Sequence, residues 1–185
     1  DVWNAACLNG GANCPENAGG DFDFGASVIM AELPGRGELL LAGQKSGDVY
    51  ALNPDPAGVD GEVVWHRQVS NAGIGPDLHQ TTTNGGVHWG MALSGERLLV
   101  AAADPERVRP DYIPKPGLHA LNLADGEVLW FHGVTRGCEI PEENKPMIGL
   151  QNTRAGKQID LEEQYRCSFY YGLSAAVLAT DELVF

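Results

Sequence analysis

The sequence has few positive charges and no long apolar run. It contains 12 Lys and Arg residues against 25 Asp and Glu residues, a formal net charge of −13, and the basic residues form no cluster. Nucleic acids and anionic membranes bind basic patches, so neither is expected as a partner. No apolar run approaches the roughly 18 residues of a membrane span. A signal peptide is absent, but the chain starts at Asp1 rather than at a methionine, so processing and truncation are both consistent with that start.

Sustained helical periodicity is also absent. Residues 161–165 could form a helical turn, but no stretch carries the apolar stripe of an amphipathic helix. The 24 Gly and 11 Pro residues are typical of short strands joined by turns, and the 43% hydrophobic content is that of an ordinary folded protein. The 185 residues therefore predict one all-β domain with a real core.

Cysteines are few, and none forms the Cys-x-x-Cys knuckle that zinc sites commonly use. Cys7 and Cys14 lie in a segment rich in Gly, Asn and Pro, and Cys138 and Cys167 bracket a long polar stretch. Two local disulfides, one within each pair, are favoured over a metal site, which is the alternative. Disulfides indicate an oxidising compartment, so the expected location is periplasmic or secreted.

What the chain does contain is a repeated unit of short strands. Residues 38–69 predict an antiparallel meander, and residues 96–134 repeat it around an excursion. Both copies pass through Ala-Leu-Asn, an acidic turn and Gly-Glu-Val-x-Trp, and residues 181–185 begin a third copy. A further strand is predicted before each copy, at residues 27–30, 88–92 and 174–178.

Such repeats predict about two and a half four-stranded antiparallel blades of a partial β-propeller. It would occupy residues 1–185 as one domain, with residues 136–170 as a loop insertion. Trp65 and Trp130, at the ends of the repeated motif, are expected to bury their indoles where one blade meets the next. Because the chain stops within an apolar strand, we interpret it as a fragment truncated at both ends; the alternative is that this strand completes the sheet.

The repeats that end at Trp65 and Trp130 resemble the tryptophan-docking motif of the pyrroloquinoline quinone (PQQ) dehydrogenases, eight-bladed β-propellers that oxidise alcohols. Asp-Phe-Asp-Phe-Gly-Ala at residues 21–26 and Gly-Gly-Val-His-Trp-Gly-Met-Ala at residues 85–92 are similar to the polyvinyl alcohol dehydrogenase-like branch. The resemblance covers most of the chain and is lost between about residues 139 and 166. It implies an enzyme that uses PQQ and calcium, oxidises a polymeric or secondary alcohol and passes electrons to cytochrome c.

The resemblance also implies three cofactor-binding residues. Lys45 matches a turn where relatives place a Lys or Arg beside the reactive quinone carbonyl, and a cation there would stabilise negative charge. Without the resemblance, a lysine in a Gly-rich turn is usually solvated. His88 and Trp89 match an Asn-Trp pair of the cofactor pocket, with His in place of Asn, and the alternative for Trp89 is a core position.

Other residues resemble the family less closely. Asp1, Trp3 and Asn4 are similar to a segment near the active-site mouth. Asp21 and Asp23 are candidates for the general base, although acids that alternate before a strand usually cap a turn. The relatives' catalytic aspartate, calcium ligands and quinone-stacking tryptophan are expected upstream of Asp1. So small a part of the ring is not expected to bind PQQ or to turn over alone.

A competing interpretation is a non-catalytic propeller scaffold of the assembly-factor type, which binds other proteins. Such a scaffold would need neither a lysine in the Gly-rich turn nor loops closed by disulfides, so these two features favour the enzyme. The acidic surface does not choose between the two functions.

Overall fold

The computed structural model describes residues 11–14, 16, 22–54, 61–70, 85–104, 115–134, 173, 175–180 and 182–184. Within these residues every regular element is a β-strand, and the strands form two four-stranded antiparallel sheets. The predicted all-β fold and its four-stranded repeat are confirmed. Several predicted features lie outside the described residues: Asp1, Trp3, Asn4, Cys7, Asp21, Cys138, Cys167 and the insertion at residues 136–170.

Each sheet follows the chain in simple up-and-down order. The first sheet contains β1 (Ile29–Leu33), β2 (Gly37–Gly43), β3 (Asp48–Leu52) and β4 (Val63–Gln68). The second contains β5 (Met91–Ser94), β6 (Arg97–Ala102), β7 (Gly117–Asn122) and β8 (Val128–Gly133). Antiparallel strands paired in chain order are typical of propeller blades.

The two sheets repeat each other residue by residue. In the first sheet Ala51 pairs with Trp65, and the register then shifts at a bulge before Leu52. In the second sheet Ala120 pairs with Trp130, and the same shift follows before Leu121. The strand before them is also equivalent, because Ala51 pairs with Leu41 and Ala120 pairs with Leu99. Positions in the two copies can therefore be matched across the whole sheet.

The hydrophobic core lies between the two sheets. Alternate residues of β2 and β3, among them Leu41, Val49 and Ala51, point to the second sheet and are fully buried. They pack with Leu98 and Val100 on the facing side of β6. Because successive strand residues point to opposite faces, the predicted alternation of Val49 and Ala51 supplies this packing directly.

Trp65 joins the two sheets at their outer edge. Its side chain is buried, and its indole N–H donates a hydrogen bond of 2.9 Å to the carbonyl of Leu123 in the β7–β8 turn. Trp130 holds the equivalent position in the second sheet and points away from the first sheet, with 38% of its surface exposed. None of the described residues accepts a hydrogen bond from Trp130 in the way that Leu123 does from Trp65.

A third copy begins as the sequence predicts. Ala179 forms an antiparallel bridge with Val184, and the backbone N–H of Thr180 donates to the Leu183 carbonyl at 2.8 Å. These contacts are those of a strand turning into its neighbour. Ala176, just before this turn, lies next to Gly90, which directly precedes β5. The third copy therefore begins beside the first strand of the second sheet.

One of the buried polar side chains is a histidine on β7. His119 on β7 is almost fully buried and stacks on Phe131, with ring centroids 4.4 Å apart. Neither ring nitrogen has a hydrogen-bond partner among the described residues. Burial, with a smaller contribution from the Lys115 charge, lowers the pKa of His119 to about 4. The ring is therefore neutral at pH 7 and acts as a packing group.

Candidate functional site

The turn between β2 and β3 carries Lys45 and is held from both sides. The backbone N–H of Lys45 donates to the Asp23 carbonyl at 3.0 Å, before β1. The N–H of Val87, before β5, donates to the Gln44 carbonyl at 3.0 Å. Gly86 has a φ of +68°, and a Cβ there would meet the Lys45 carbonyl, so this close approach requires glycine. Three segments of the chain therefore meet at one turn.

The ammonium of Lys45 is buried and ion-paired. The lysine side chain is only 9% exposed, and its Nζ lies 2.6 Å from Oδ2 of Asp23, which is 53% exposed. The expectation that a lone lysine in this turn is solvated is therefore wrong. Asp23 pairs with a cation rather than acting only as a turn cap. The arrangement places a fixed positive charge at the end of the first sheet.

His88 and Trp89 lie beside this turn. Their rings stack, with centroids 4.7 Å apart and an angle of 25° between the planes. The His88 ring packs against Gly25, where an added Cβ would lie 2.6 Å from Cδ2 of the histidine. Gly25 is two residues from Asp23, and His88 is two residues from Gly86. The fold thus brings the three predicted cofactor-binding residues to the same end of the sheets.

A second polar network runs from the turn to the surface. The Ser46 hydroxyl lies 2.7 Å from Oε1 of Gln44 and 2.6 Å from Oδ2 of Asp48, and it donates its one proton to one of them at a time. The other Asp48 oxygen lies 2.7 Å from Nε2 of His66. His66 stacks on Tyr50, whose pKa is raised by burial and then by the Asp48 charge. Sequence reasoning missed this network because it considered only Lys45 in this turn, and because His66 joins it only through the pairing of β3 with β4.

The second sheet has no equivalent of the ion pair. By the register, Ala103 corresponds to Lys45 and Gly86 corresponds to Asp23. The backbone contact is kept, since the Ala103 N–H donates to the Gly86 carbonyl at 3.0 Å. The first copy has Asp23 and Lys45 at positions where the second copy has Gly86 and Ala103. Sequence reasoning overlooked this difference between the copies.

The described residues contain no cluster of three or more His, Cys, Asp or Glu side chains that could hold a metal ion. They also contain no helix that could cross a membrane. Cys14 is disulfide-bonded, and the other cysteines lie outside the described residues, so the predicted pairing stays a prediction.

Two four-stranded antiparallel sheets joined by a docked tryptophan are blades of a partial β-propeller. The PQQ_2 family model, described as "Outer membrane protein assembly factor BamB", matches residues 45–154, and the chain belongs to this family.

Two polyvinyl alcohol dehydrogenases are similar to the chain. The enzyme from Pseudomonas sp. is 40% identical over 119 residues, which are 64% of this chain and 16% of the relative. The enzyme from Sphingopyxis sp. (strain 113P3) is 38% identical over the same lengths. The resemblance to the polyvinyl alcohol dehydrogenase-like branch is confirmed, and the chain spans about one sixth of these relatives. A structure of BamB from Moraxella catarrhalis is 14% identical, with a TM-score of 0.35, and covers 60% of this chain and 24% of that one.

Proposed function

We propose that this chain forms one wall of the cofactor site of a PQQ-dependent alcohol dehydrogenase. The observation that carries the proposal is the buried ammonium of Lys45, fixed by Asp23 at the end of the first sheet. Burying a charge is costly, and the second sheet forms the same backbone contact without one. A cation kept at such a cost is typical of a site that must stabilise developing negative charge.

The residues of this site fit a flat quinone that bears oxygen atoms. When bound, PQQ supplies the acceptor for the two electrons and the hydrogen that leave the alcohol carbon. Lys45 would donate a hydrogen bond to a quinone oxygen and stabilise its negative charge, while Asp23 keeps the ammonium in position. The stacked rings of His88 and Trp89 offer an aromatic surface for a flat cofactor.

Several finer features belong to this proposal. The substrate is a polymeric or secondary alcohol, as the names of the similar dehydrogenases suggest. Calcium accompanies the quinone, with ligands other than the described residues, and cytochrome c accepts the electrons. The location is periplasmic or secreted, which the disulfide at Cys14 supports because such bonds persist in oxidising compartments.

The test uses a graft, because the chain spans only 16% of its dehydrogenase relatives. The two-sheet segment replaces its counterpart in the Pseudomonas polyvinyl alcohol dehydrogenase, and dye-linked alcohol oxidation is measured with PQQ and calcium. In the graft, Lys45→Ala should lower kcat at least about tenfold, Lys45→Arg should restore part of it, and Lys115→Ala, a change at an exposed lysine, should leave it unchanged. Turnover that is unaffected by Lys45→Ala removes this residue from the site.

A second candidate function is a non-catalytic scaffold, and one finding favours it: the matching family model is described as an outer membrane assembly factor. The two functions differ in cofactor binding. Titration of PQQ into the graft, followed by quenching of tryptophan fluorescence, should saturate for the dehydrogenase. A folded graft that does not bind PQQ supports the scaffold.

A further inference from the structure

The turn that carries Lys45 is closed by side-chain contacts in addition to its backbone bonds. The Gln44 N–H donates to the Asp48 carbonyl at 2.9 Å, and the Gly47 N–H donates to the Gln44 carbonyl at 3.0 Å. Ser46, next to Lys45 in the turn, is buried, and its backbone forms no hydrogen bond with any of the described residues. Its hydroxyl, which contacts both Gln44 and Asp48, is therefore the group that attaches this residue to the turn.

Asp48 supplies the charged acceptor of these side-chain contacts. A hydrogen bond to a carboxylate is stronger than one between neutral groups, so the Ser46 proton favours Oδ2 of Asp48, 2.6 Å away, over the amide oxygen of Gln44. The other Asp48 oxygen lies 2.7 Å from Nε2 of His66 on β4, and only 18% of the Asp48 side chain is exposed. A strand outside the turn therefore holds Asp48, and Asp48 holds Ser46.

The second sheet pairs the equivalent strands without such contacts. By the register, Ala102 and Gly117 hold the positions of Gln44 and Asp48, and neither has a polar side chain. Since Ala102 and Gly117 pair β6 with β7, strand pairing at this end of the sheets does not require polar side chains. Of the two described copies, the one with the side-chain contacts is also the one with the buried ammonium of Lys45.

We propose that Ser46 and Asp48 are positioning residues for the ammonium of Lys45, an inference that rests on the cofactor site proposed above. Nζ of Lys45 lies 2.6 Å from Oδ2 of Asp23, which approaches from the segment before β1. That contact fixes the end of the lysine side chain, while Ser46 and Asp48 fix the backbone from which the side chain starts. Neither residue touches the quinone; both act through Lys45.

Loss of the Ser46 hydroxyl has a direct consequence for this turn. It leaves two acceptors, Oε1 of Gln44 and Oδ2 of Asp48, without the proton that joins them, so the turn should open and the ammonium should move. Displacement of a catalytic group by about 1 Å can lower a rate about 100-fold, and the backbone bonds still restrain this turn, so we expect a loss of about tenfold in kcat. KM for the alcohol should not change, because Lys45 faces the cofactor.

Reductive methylation of lysines, followed by peptide mapping, reports on Lys45 without cofactor or turnover. In the graft described above, free of PQQ, Lys45 should react slowly because it is buried and ion-paired, and exposed Lys115 serves as the internal reference. Ser46→Ala and Asp48→Ala should each raise the Lys45 rate at least about fivefold, because local opening exposes the amine. Asp48→Asn should stay within about twofold of the parent, since its amide oxygen still accepts the Ser46 proton.

Turnover of the PQQ-loaded graft gives the second measurement. Ser46→Ala and Asp48→Ala should lower kcat about tenfold at unchanged KM, and Asp48→Asn should keep at least about half of kcat. The matched control is Asp125→Ala, which removes a carboxylate and the 2.9 Å hydrogen bond that it accepts from the Glu127 N–H, in the β7–β8 turn at the other end of the strands. This control should change neither the Lys45 methylation rate nor kcat.

The outcomes separate this inference from the function on which it rests. If Ser46→Ala leaves either the methylation of Lys45 or kcat unchanged while Lys45→Ala lowers kcat, the positioning role is overturned and the proposed function stands. Asp48→Asn as damaging as Asp48→Ala, or Asp125→Ala with the same effects, also overturns the positioning role. If Lys45→Ala leaves kcat unchanged, the proposed function fails and the positioning role fails with it. Far-UV circular dichroism checks that each variant is folded.

Discussion

The contact between Trp65 and Gly126 gives a sharp test of how the two sheets are joined. A Cβ added at Gly126 would lie 2.5 Å from Cε3 of Trp65, a distance that real Cβ atoms essentially never show. Gly61 occupies the equivalent turn of the first sheet, with a φ of +75° against +70° at Gly126. Alanine at either position therefore meets the same left-handed backbone, and only alanine at Gly126 also meets an indole.

The expected losses in the free energy of unfolding follow from these contacts. Gly61→Ala should lower the free energy of unfolding by about 1–2 kcal/mol, the cost of alanine in the left-handed region. Gly126→Ala should cost about 2–5 kcal/mol, because overpacking against the buried ring adds about 1–3 kcal/mol to that strain. Trp65→Ala should cost about 3–5 kcal/mol, since it empties a buried aromatic site and removes the donor to Leu123.

Urea unfolding, followed by far-UV circular dichroism at protein concentrations where the chain is monomeric, measures these values. The decisive comparison is a double-mutant cycle. In the Trp65→Ala background the ring is gone, so Gly126→Ala should cost no more than Gly61→Ala does in the wild type. Equal costs for the two single glycine variants, or a Gly126→Ala cost that Trp65→Ala leaves unchanged, would refute docking of the indole on this turn.

Three further predictions concern other parts of the chain. Gly86→Ala should destabilise more than Gly95→Ala, because a Cβ at Gly86 meets the Lys45 backbone while Gly95 is open; the same urea titration ranks them. Burial lowers the pKa of His119 to about 4, against about 6.5 in the unfolded chain. The neutral ring therefore contributes fully to the free energy of unfolding above pH 6.5, and up to about 3 kcal/mol of this is lost as the pH falls to 4. His119→Phe should remove this slope from the stability–pH profile. Peptide mapping without reductant should recover Cys7 joined to Cys14, and Cys14 joined to any other cysteine would contradict the predicted pairing.

Much of the fold could be predicted because its determinants are local. The apolar residues of β2, the alternation in β3 and the Gly-containing turns each act within a few residues, and they fix strand, face and turn together. The repeated Gly-Glu-Val-x-Trp motif also indicated where along the sequence the second sheet repeats the first. Prediction therefore reached the four-stranded repeat and the burial of Trp65 without any long-range contact being known.

The candidate site was predicted less completely because its contacts are long-range. Lys45 was identified only through a resemblance, and the same residue considered by composition alone was expected to be solvated. Its burial depends on Asp23 and Gly86, which reach the turn from different segments through backbone hydrogen bonds that no local pattern encodes. Trp130 differs from Trp65 in exposure for the same kind of reason: the motif fixes where an indole points, and the neighbouring sheet decides what covers it.

Comparison of the two copies shows which contacts the fold requires at the turn after β2 or β6 and which are present only in the first sheet. The backbone N–H of Lys45 bonds to the Asp23 carbonyl, and that of Ala103 bonds to the Gly86 carbonyl, both at 3.0 Å. Since alanine and glycine form this junction equally well, neither the ammonium nor the carboxylate is required to hold it. Burying the lysine costs desolvation energy, which its ion pair with Asp23 offsets. A charge that the junction does not require, placed beside His88 and Trp89, is consistent with the proposed cofactor site.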